Sequence, residues 1–217
     1  GGIDVLLVSF CHLIYLRIVL SLGDVAAAAH GVALQIEAIG YMPGGAFQIS
    51  AATLAGQYLG ARDFVRARRS VLMACAVATS LMVFAGIIFY AEAVPLAALF
   101  LKGSSREVIP YAAAILRVVA FAMPPLAVLM VLVGALRGAG DTRVPLALNI
   151  IGVIWFRVRL ALFLAHQTIH LPMIGYTIHG ANWGVVGAWY AAVIDIMVRC
   201  ILLTMRFRQD GWQKIDV

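Results

Sequence analysis

Glu37 stands in the run ALQIEAIGYMPGG (33–45), an ionisable carboxylate among apolar residues, six positions before Pro43. At about 100° per helical residue, His30, Glu37, Tyr41 and Gln48 fall on one stripe roughly 40° wide. Apart from Gln35, the other faces carry Ala, Leu, Ile and Val. One polar stripe on an apolar helix reads as the lining of a cavity, with Glu37 available to bind or exchange a cation. The competing reading is a protonated Glu37 that donates one hydrogen bond to a neighbouring helix. Asp195 is the second such carboxylate, about 11 residues into another apolar run at about 1.5 Å rise per residue. Arg199 follows one turn later on the same face, so an ion pair is the simplest reading and a role in transport the alternative. Arg157 and Arg159 point to nearly opposite faces, and Arg17 and Arg117 are available to neutralise a carboxylate.

The elements that must position these groups follow from composition. Of 217 residues, 64% are hydrophobic and 12% charged, and the mean hydropathy is +0.99. Water-soluble domains are about half apolar and about a quarter charged, so this chain lacks a soluble protein's surface. Crossing roughly 30 Å of hydrocarbon takes about 20 apolar residues. Six runs qualify, near 3–22, 25–56, 69–93, 107–136, 144–165 and 184–205. The predicted fold is all-α: a polytopic lobe of six transmembrane helices, with kinks. The second run is too long for one straight crossing, and its last part beyond Gly44-Gly45 is expected to leave the hydrocarbon. Asp24 and Asp141 are candidate N-caps, Ser104 to Glu107 has capping-box spacing, and HQTIHLPMIGYTIHGANW (166–183) reads as a polar loop.

Six crossings put both termini on one side. That side holds Arg62, Arg66, Arg68, Arg69, Arg137, Arg143, Arg206, Arg208 and Lys214, against Lys102 and Arg106 opposite. A basic excess marks the cytoplasm, so both termini are predicted there, in a multi-pass protein of the plasma (inner) membrane. The chain starts at Gly1 without methionine and is apolar by Ile3, which reads as a fragment or one half of something longer.

Proline and glycine mark the flexible points. Pro43 has no N–H to give the carbonyl near Ile39, and Gly40, Gly44 and Gly45 add freedom; Pro124-Pro125 does the same to the fourth run. Two interrupted helices and a mid-membrane carboxylate suggest a gated cavity with hinges at 40–45 and 124–125. Other chemistry is disfavoured. The GAGD at 138–141 looks like an intramembrane aspartyl protease motif, but Asp141 lies between Arg137 and Arg143, and the one other candidate, Asp195, is much deeper. The histidines lack metal-ligand spacing, there is no P-loop, and no basic stretch is interleaved with aromatics for nucleic acid. Cys11, Cys75 and Cys200 read as buried hydrophobes. No catalytic residue, metal or cofactor is expected, and the chain is not read as an enzyme.

Several stretches together resemble the C-terminal half of the multidrug and toxic compound extrusion (MATE) transporters: AAAAHGVALQIEAIGYMPGG (26–45), AATLAGQYLGARDFVRARR (51–69), GALRGAGDTRVPLALN (134–149) and GVVGAWYAAVIDIMVR (184–199). The resemblance marks Gly56, Gln57, Gly60, Arg137, Gly138, Gly140, Asp141 and Thr142 as cytoplasmic loop motifs. It implies a twelve-helix protein of two lobes around a cavity, exporting organic cations or other amphipathic compounds by exchange with Na⁺ or H⁺. This chain would supply the second lobe, its partners being the N-terminal lobe, membrane lipid and a small substrate. Glu37 matches a glutamate that many members carry in the eighth helix. Others use an acid in the seventh, where FCHLIYLRIVLSLG (10–23) has Arg17 instead. Two rival readings are a flippase for lipid or polysaccharide precursors, suggested by the intramembrane arginines, and a non-transporting membrane scaffold.

Overall fold

The computed structural model describes residues 2–101, 106–171, 176–209 and 212. Along the chain come α1 (Gly2–Leu20), α2 (Asp24–Gly60), α3 (Phe64–Ala91), α4 (Ala93–Phe100), α5 (Val108–Gly138) and α6 (Arg143–Ile151). A π-helical segment (Gly152–Val158) joins α6 to α7 (Arg159–Ala165). A hairpin of β1 (Thr168–Leu171) and β2 (Tyr176–His179) precedes α8 (Gly184–Arg208). Among the described residues, five helical stretches are long and apolar enough to cross a membrane: α2, α3, α5, α6 to α7 taken together, and α8. The first run expected to cross is α1, whose Ser9–Leu20 portion is a shorter apolar helix.

Two expectations change, at the prolines and in the 166–183 connection. Pro43 does not end its helix, nor do Pro124 and Pro125: α2 and α5 are helical throughout. In an apolar medium the released carbonyl finds no water, so breaking further helical bonds there would be costly. The part of α2 beyond Gly45 is helical to Gly60, which leaves open where it departs from the hydrocarbon. Arg66, Arg68 and Arg69 lie in the first turns of α3. The 166–183 connection contains an antiparallel hairpin, with Thr168 opposite His179 and Leu171 opposite Tyr176, and α4 is an additional short helix. Ser104 of the proposed capping box lies outside the described residues.

Two turns repeat one design. Residues 60–63 and 138–141 both read Gly-Ala-x-Asp. At the end of α2, Arg62 N–H donates to Leu59 O at 2.9 Å and Asp63 N–H to Tyr58 O at 2.8 Å. At the end of α5, Gly140 N–H donates to Arg137 O at 3.1 Å and Asp141 N–H to Leu136 O at 2.8 Å. These paired bonds satisfy the last carbonyls, and the third position must turn left-handed. Gly140 does so freely at φ +85°, whereas Arg62 does so at φ +58° despite its side chain. The aspartate then caps the next helix. Asp63 Oδ1 accepts from Arg66 N–H at 3.0 Å, and Asp141 Oδ1 from Val144 N–H at 3.5 Å.

The chain forms two compact units. The first comprises Gly1–Glu37, Ile88–Phe121 and Ile150–Asp195; the second comprises Ala38–Ile87, Ala122–Asn149 and Ile196–Val217. The first unit therefore contains the connections at 21–23, 101–107 and 166–183. In it, the chain leaving the hairpin returns to α7: Ala181 N–H donates to Phe163 O at 2.9 Å and Trp183 N–H to Leu164 O at 2.8 Å. The carbonyls at the end of that helix are satisfied in this way. The second unit contains the two Gly-Ala-x-Asp turns and the chain after α8, where the Trp212 ring stacks on Phe207 at 4.9 Å.

Backbone contact between helices organises the second unit. A Cβ placed on Gly134 would overlap the carbonyl oxygen of Gln48, and one on Gly138 would overlap that of Ala52. Gly56 approaches Gly138 O to within 3.0 Å of its own Cβ position. The Gly134–Gly138 spacing is the small-xxx-small pattern that lets membrane helices approach closely when no hydrophobic force draws them together. Gly138→Ala and Gly134→Ala are each expected to destabilise the protein by about 1–3 kcal/mol through overpacking. Gly60→Ala, with nothing within 4 Å of the new methyl, should have a much smaller effect. Thermal unfolding in detergent compares the three.

Candidate functional site

Three helices and the π-helical segment bring titratable and aromatic side chains together inside the first unit. α1 supplies Tyr15, α2 supplies His30 and Glu37 two turns apart, the π segment supplies Arg157, and α8 supplies Trp189 and Asp195. The His30 ring lies between two others, 5.9 Å from Tyr15 and 5.3 Å from Trp189 by centroid. All three are buried. Tyr15 Oη, His30 Nδ1 and Trp189 Nε1 have no hydrogen-bond partner among the described residues. Buried polar atoms are ordinarily hydrogen-bonded to protein or to ordered water, so this patch is a place where a water or a bound group would find partners. The phenol and imidazole lone pairs are chemically able to face a cation or its water, and the indole donates only.

Beside this patch, Arg157 Nε lies 3.2 Å from Asp195 Oδ2. Asp195 is fully buried and the arginine side chain 15% exposed. The guanidinium carbon also sits 6.0 Å from the Tyr15 ring centroid, the outer limit of a cation–π contact. Glu37 is half-buried and lies within electrostatic range of both Arg157 and Tyr15. The π segment matters here. Its wider turn re-phases the helix by about one residue, and such insertions concentrate at functional sites. Arg157 faces the unit's interior, and Arg159, two residues on, is exposed.

Each residue singled out by sequence can now be located. Asp195, expected to pair with Arg199 along its own helix, also has Arg157 beside it, from a different helix. Arg199 Nη1 donates to Asn149 Oδ1 at 2.7 Å in the second unit. Of the predicted stripe, His30 is buried and Glu37 half-buried in the first unit, whereas Tyr41 is exposed and Gln48 half-buried in the second. Arg17 and Arg117 are exposed. Among the proposed hinge residues, Gly40 and Gly44 are buried, and Pro43, Gly45, Pro124 and Pro125 half-buried. A Cβ on Gly44 would meet Met130 Sδ at 2.7 Å and Met82 Sδ at 2.8 Å, so this glycine makes room for two thioethers.

The motifs expected in loops divide. Gly56, Gln57 and Gly60 lie inside α2, and Arg137 and Gly138 inside α5, so these five are helical; only Gly140, Asp141 and Thr142 form a turn. The two glycines at 56 and 138 are needed for close packing rather than for loop flexibility. Asp141 is buried and committed, its Oδ2 accepting from Arg206 Nε at 3.1 Å and Nη2 at 2.8 Å. Tyr15, Trp189 and Asn149 were not singled out by sequence, and Arg206 was read only as part of the basic excess. Only Asn149 left a trace, as a polar residue in an apolar run. A cavity of about 570 Å³ also opens in the first unit, lined among others by Val25, Glu107, Tyr111 and Val185, and none of the predicted site residues borders it.

Long apolar helices joined by basic turns, with a charged and aromatic cluster inside them, are those of a multi-pass membrane protein. The MatE family model matches residues 2–163. Among curated proteins, the chain is 30% identical over 189 residues to the "Probable multidrug resistance protein NorM" of Agrobacterium fabrum, covering 86% of this chain and 38% of that protein. It is 25% identical over 202 residues to the protein of the same name from Thermotoga maritima, covering 93% and 40%. The fold matches an outward-facing multidrug resistance MATE family transporter of the MOP superfamily with TM-score 0.82 at 19% identity, over 98% of this chain and 45% of that one. It matches a MOP superfamily transporter from Pyrococcus furiosus with TM-score 0.83 at 20% identity and the same coverage. The chain belongs to the MATE family. It spans about two-fifths of the length of the curated relatives it matches.

The buried ion pair has a direct test. Asp195→Ala leaves a buried guanidinium without its aspartate and should lower unfolding free energy by about 3 kcal/mol or more. Combining it with Arg157→Met should restore much of that loss. Chemical denaturation in detergent measures both.

Proposed function

We propose that the chain is the C-terminal six-helix lobe of a MATE exporter, which moves organic cations or other amphipathic compounds out of the cell in exchange for H⁺ or Na⁺. Family membership supports the transport class, and the multidrug resistance names of the curated relatives support the substrate class. The observation that carries the coupling role is Glu37: a half-buried carboxylate inside a long apolar helix, within electrostatic range of Arg157 and Tyr15. In surroundings of low dielectric one carboxylate strongly disfavours two cations at once. Arrival of a proton or Na⁺ at Glu37 therefore favours departure of a cationic substrate, and the reverse.

The lobe requires company. A lone lobe would present its intramembrane charges toward lipid, which is costly, so an N-terminal lobe completes the cavity. Orientation follows from the basic turns. A basic excess marks the cytoplasmic side, which supports placing the turns bearing Arg62, Arg66, Arg68, Arg69, Arg137, Arg143, Arg206 and Arg208 there, near anionic lipid of the plasma membrane. A cationic cavity for a lipid-linked precursor finds less support, because Arg157 is engaged by Asp195.

Two experiments test the proposal. In vesicles carrying the full-length protein, Glu37→Gln should abolish the dependence of cationic dye efflux on a pH or Na⁺ gradient; normal dependence in that variant rules out Glu37 as the coupling group. Single cysteines at 62 and 142 should react with a membrane-impermeant thiol reagent only from the cytoplasmic face, and one at 182 only from the outside. The opposite pattern reverses the topology.

A further inference from the structure

We propose that one exposed stripe of α5 is this lobe's wall of the transport path, and that Arg117 on it receives a carboxylate carried by an amphipathic substrate. The inference rests on the reading of the chain as an exporter lobe. It narrows the substrates from amphipathic compounds at large to those bearing a carboxylate, alone or beside a cationic group.

Within the first unit most of α5 is buried: Ala112, Ala113, Ile115, Leu116, Val118 and Val119 belong to the core. What it leaves uncovered is narrow. Pro110, Arg117 and Phe121 are exposed and Ala114 is half-buried. Their spacing of i, i+4, i+7 and i+11 places them on one stripe about 60° wide. A stripe turned to lipid would be apolar, yet this one carries a guanidinium about 13 Å along the helix from Val108. An intramembrane arginine is costly against lipid and ordinarily faces a protein interior or a water-filled cavity. No interior partner engages Arg117, which takes part in no hydrogen bond or ion pair among the described residues.

The neighbours of the stripe fit such a substrate. One turn past Arg117, the Phe121 ring meets the Tyr90 ring of α3 edge-on, 5.8 Å between centroids, and both rings are exposed. They offer apolar surface next to the charge. At the other end of the stripe, Glu107 and Tyr111 border the cavity of about 570 Å³. That volume falls within the roughly 300–1,000 Å³ of small-molecule pockets. The stripe therefore starts at open space and not against a packed face. Glu107 lies ten positions before Arg117, about 15 Å along the helix axis, too far to neutralise it. A guanidinium can donate two parallel hydrogen bonds to a carboxylate, while the exposed rings take the apolar body of the same molecule.

The test uses the full-length protein in proteoliposomes and a matched pair of dyes, a rhodamine carboxylic acid and its ethyl ester, which differ by one negative charge. In the parent protein a pH or Na⁺ gradient should drive efflux of both. Arg117→Gln should raise the half-saturating concentration of the acid about tenfold, as expected when a charge-assisted hydrogen bond is lost, and leave that of the ester within about twofold. Arg117→Lys should fall between. An unchanged value for the acid overturns the inference. So does an equal change for both dyes, which would mean that Arg117 holds the fold or pairs with the other lobe. If Arg117→Gln fails to accumulate, Ala114→Cys decides, with Arg117 intact and the background otherwise free of cysteine. The acid should then protect that cysteine from a water-soluble thiol reagent at about tenfold lower concentration than the ester. Equal protection, or no labelling in the absence of dye, overturns the inference. Gradient-driven efflux of the ester alongside any of these null results rejects only the role of Arg117. No gradient-driven efflux of either dye by the parent protein rejects the exporter reading as well.

Discussion

A polar group left unpaired where there is no water costs more than almost any rearrangement that pairs it. Much of this chain's structure follows from that constraint. It keeps α2 and α5 helical through Pro43, Pro124 and Pro125, since a carbonyl released by proline has nowhere else to turn. It returns the chain after the hairpin onto the last carbonyls of α7. It also brings Arg157 to Asp195 from a separate helix, and Arg206 to the buried Asp141.

Against that background, the groups left incompletely satisfied gain meaning. Tyr15, His30 and Trp189 each bury a polar atom without a hydrogen-bond partner among the described residues, and they adjoin the Arg157–Asp195 pair. The second unit contrasts with this. Its glycines bring backbones together, its aspartates cap helices, and its arginines are concentrated at turns. The exchange chemistry proposed for Glu37 thus draws on the first unit's polar cluster, while close helix packing and basic turns characterise the second.

Much of this was legible in the sequence. Hydropathy alone located the long helices to within several residues, because twenty apolar residues in a row have few other uses. The Gly-Ala-Gly-Asp turn at 138–141 and its cap were also readable from residue type. Local periodicity could not show partners that come from elsewhere. Arg199 is the nearest basic residue to Asp195 along α8, but Arg157 reaches Asp195 from a π-helical segment of another helix, and no sequence pattern announces that. Tyr15 and Trp189 looked like any aromatic in an apolar run. Gly56 and Gly138 read as loop residues because their neighbours are turn-like, whereas their function is to let α2 and α5 touch. The hairpin was missed because residues 166–183 mix polar and apolar types without clear alternation.

The central claim is that Glu37 faces a water-filled path. Single cysteines at 36, 37, 39 and 41, introduced into the full-length protein with Cys11, Cys75 and Cys200 replaced, would be exposed in membranes to a water-soluble thiol reagent. Ile36 is buried and Ile39 lies on the opposite side of α2 from Glu37. Labelling at 37 and 41, with protection at 36 and 39, is the outcome that a polar cavity lined by α2 predicts. Protection at all four positions would make Glu37 a packing group that donates one hydrogen bond, and would contradict the account.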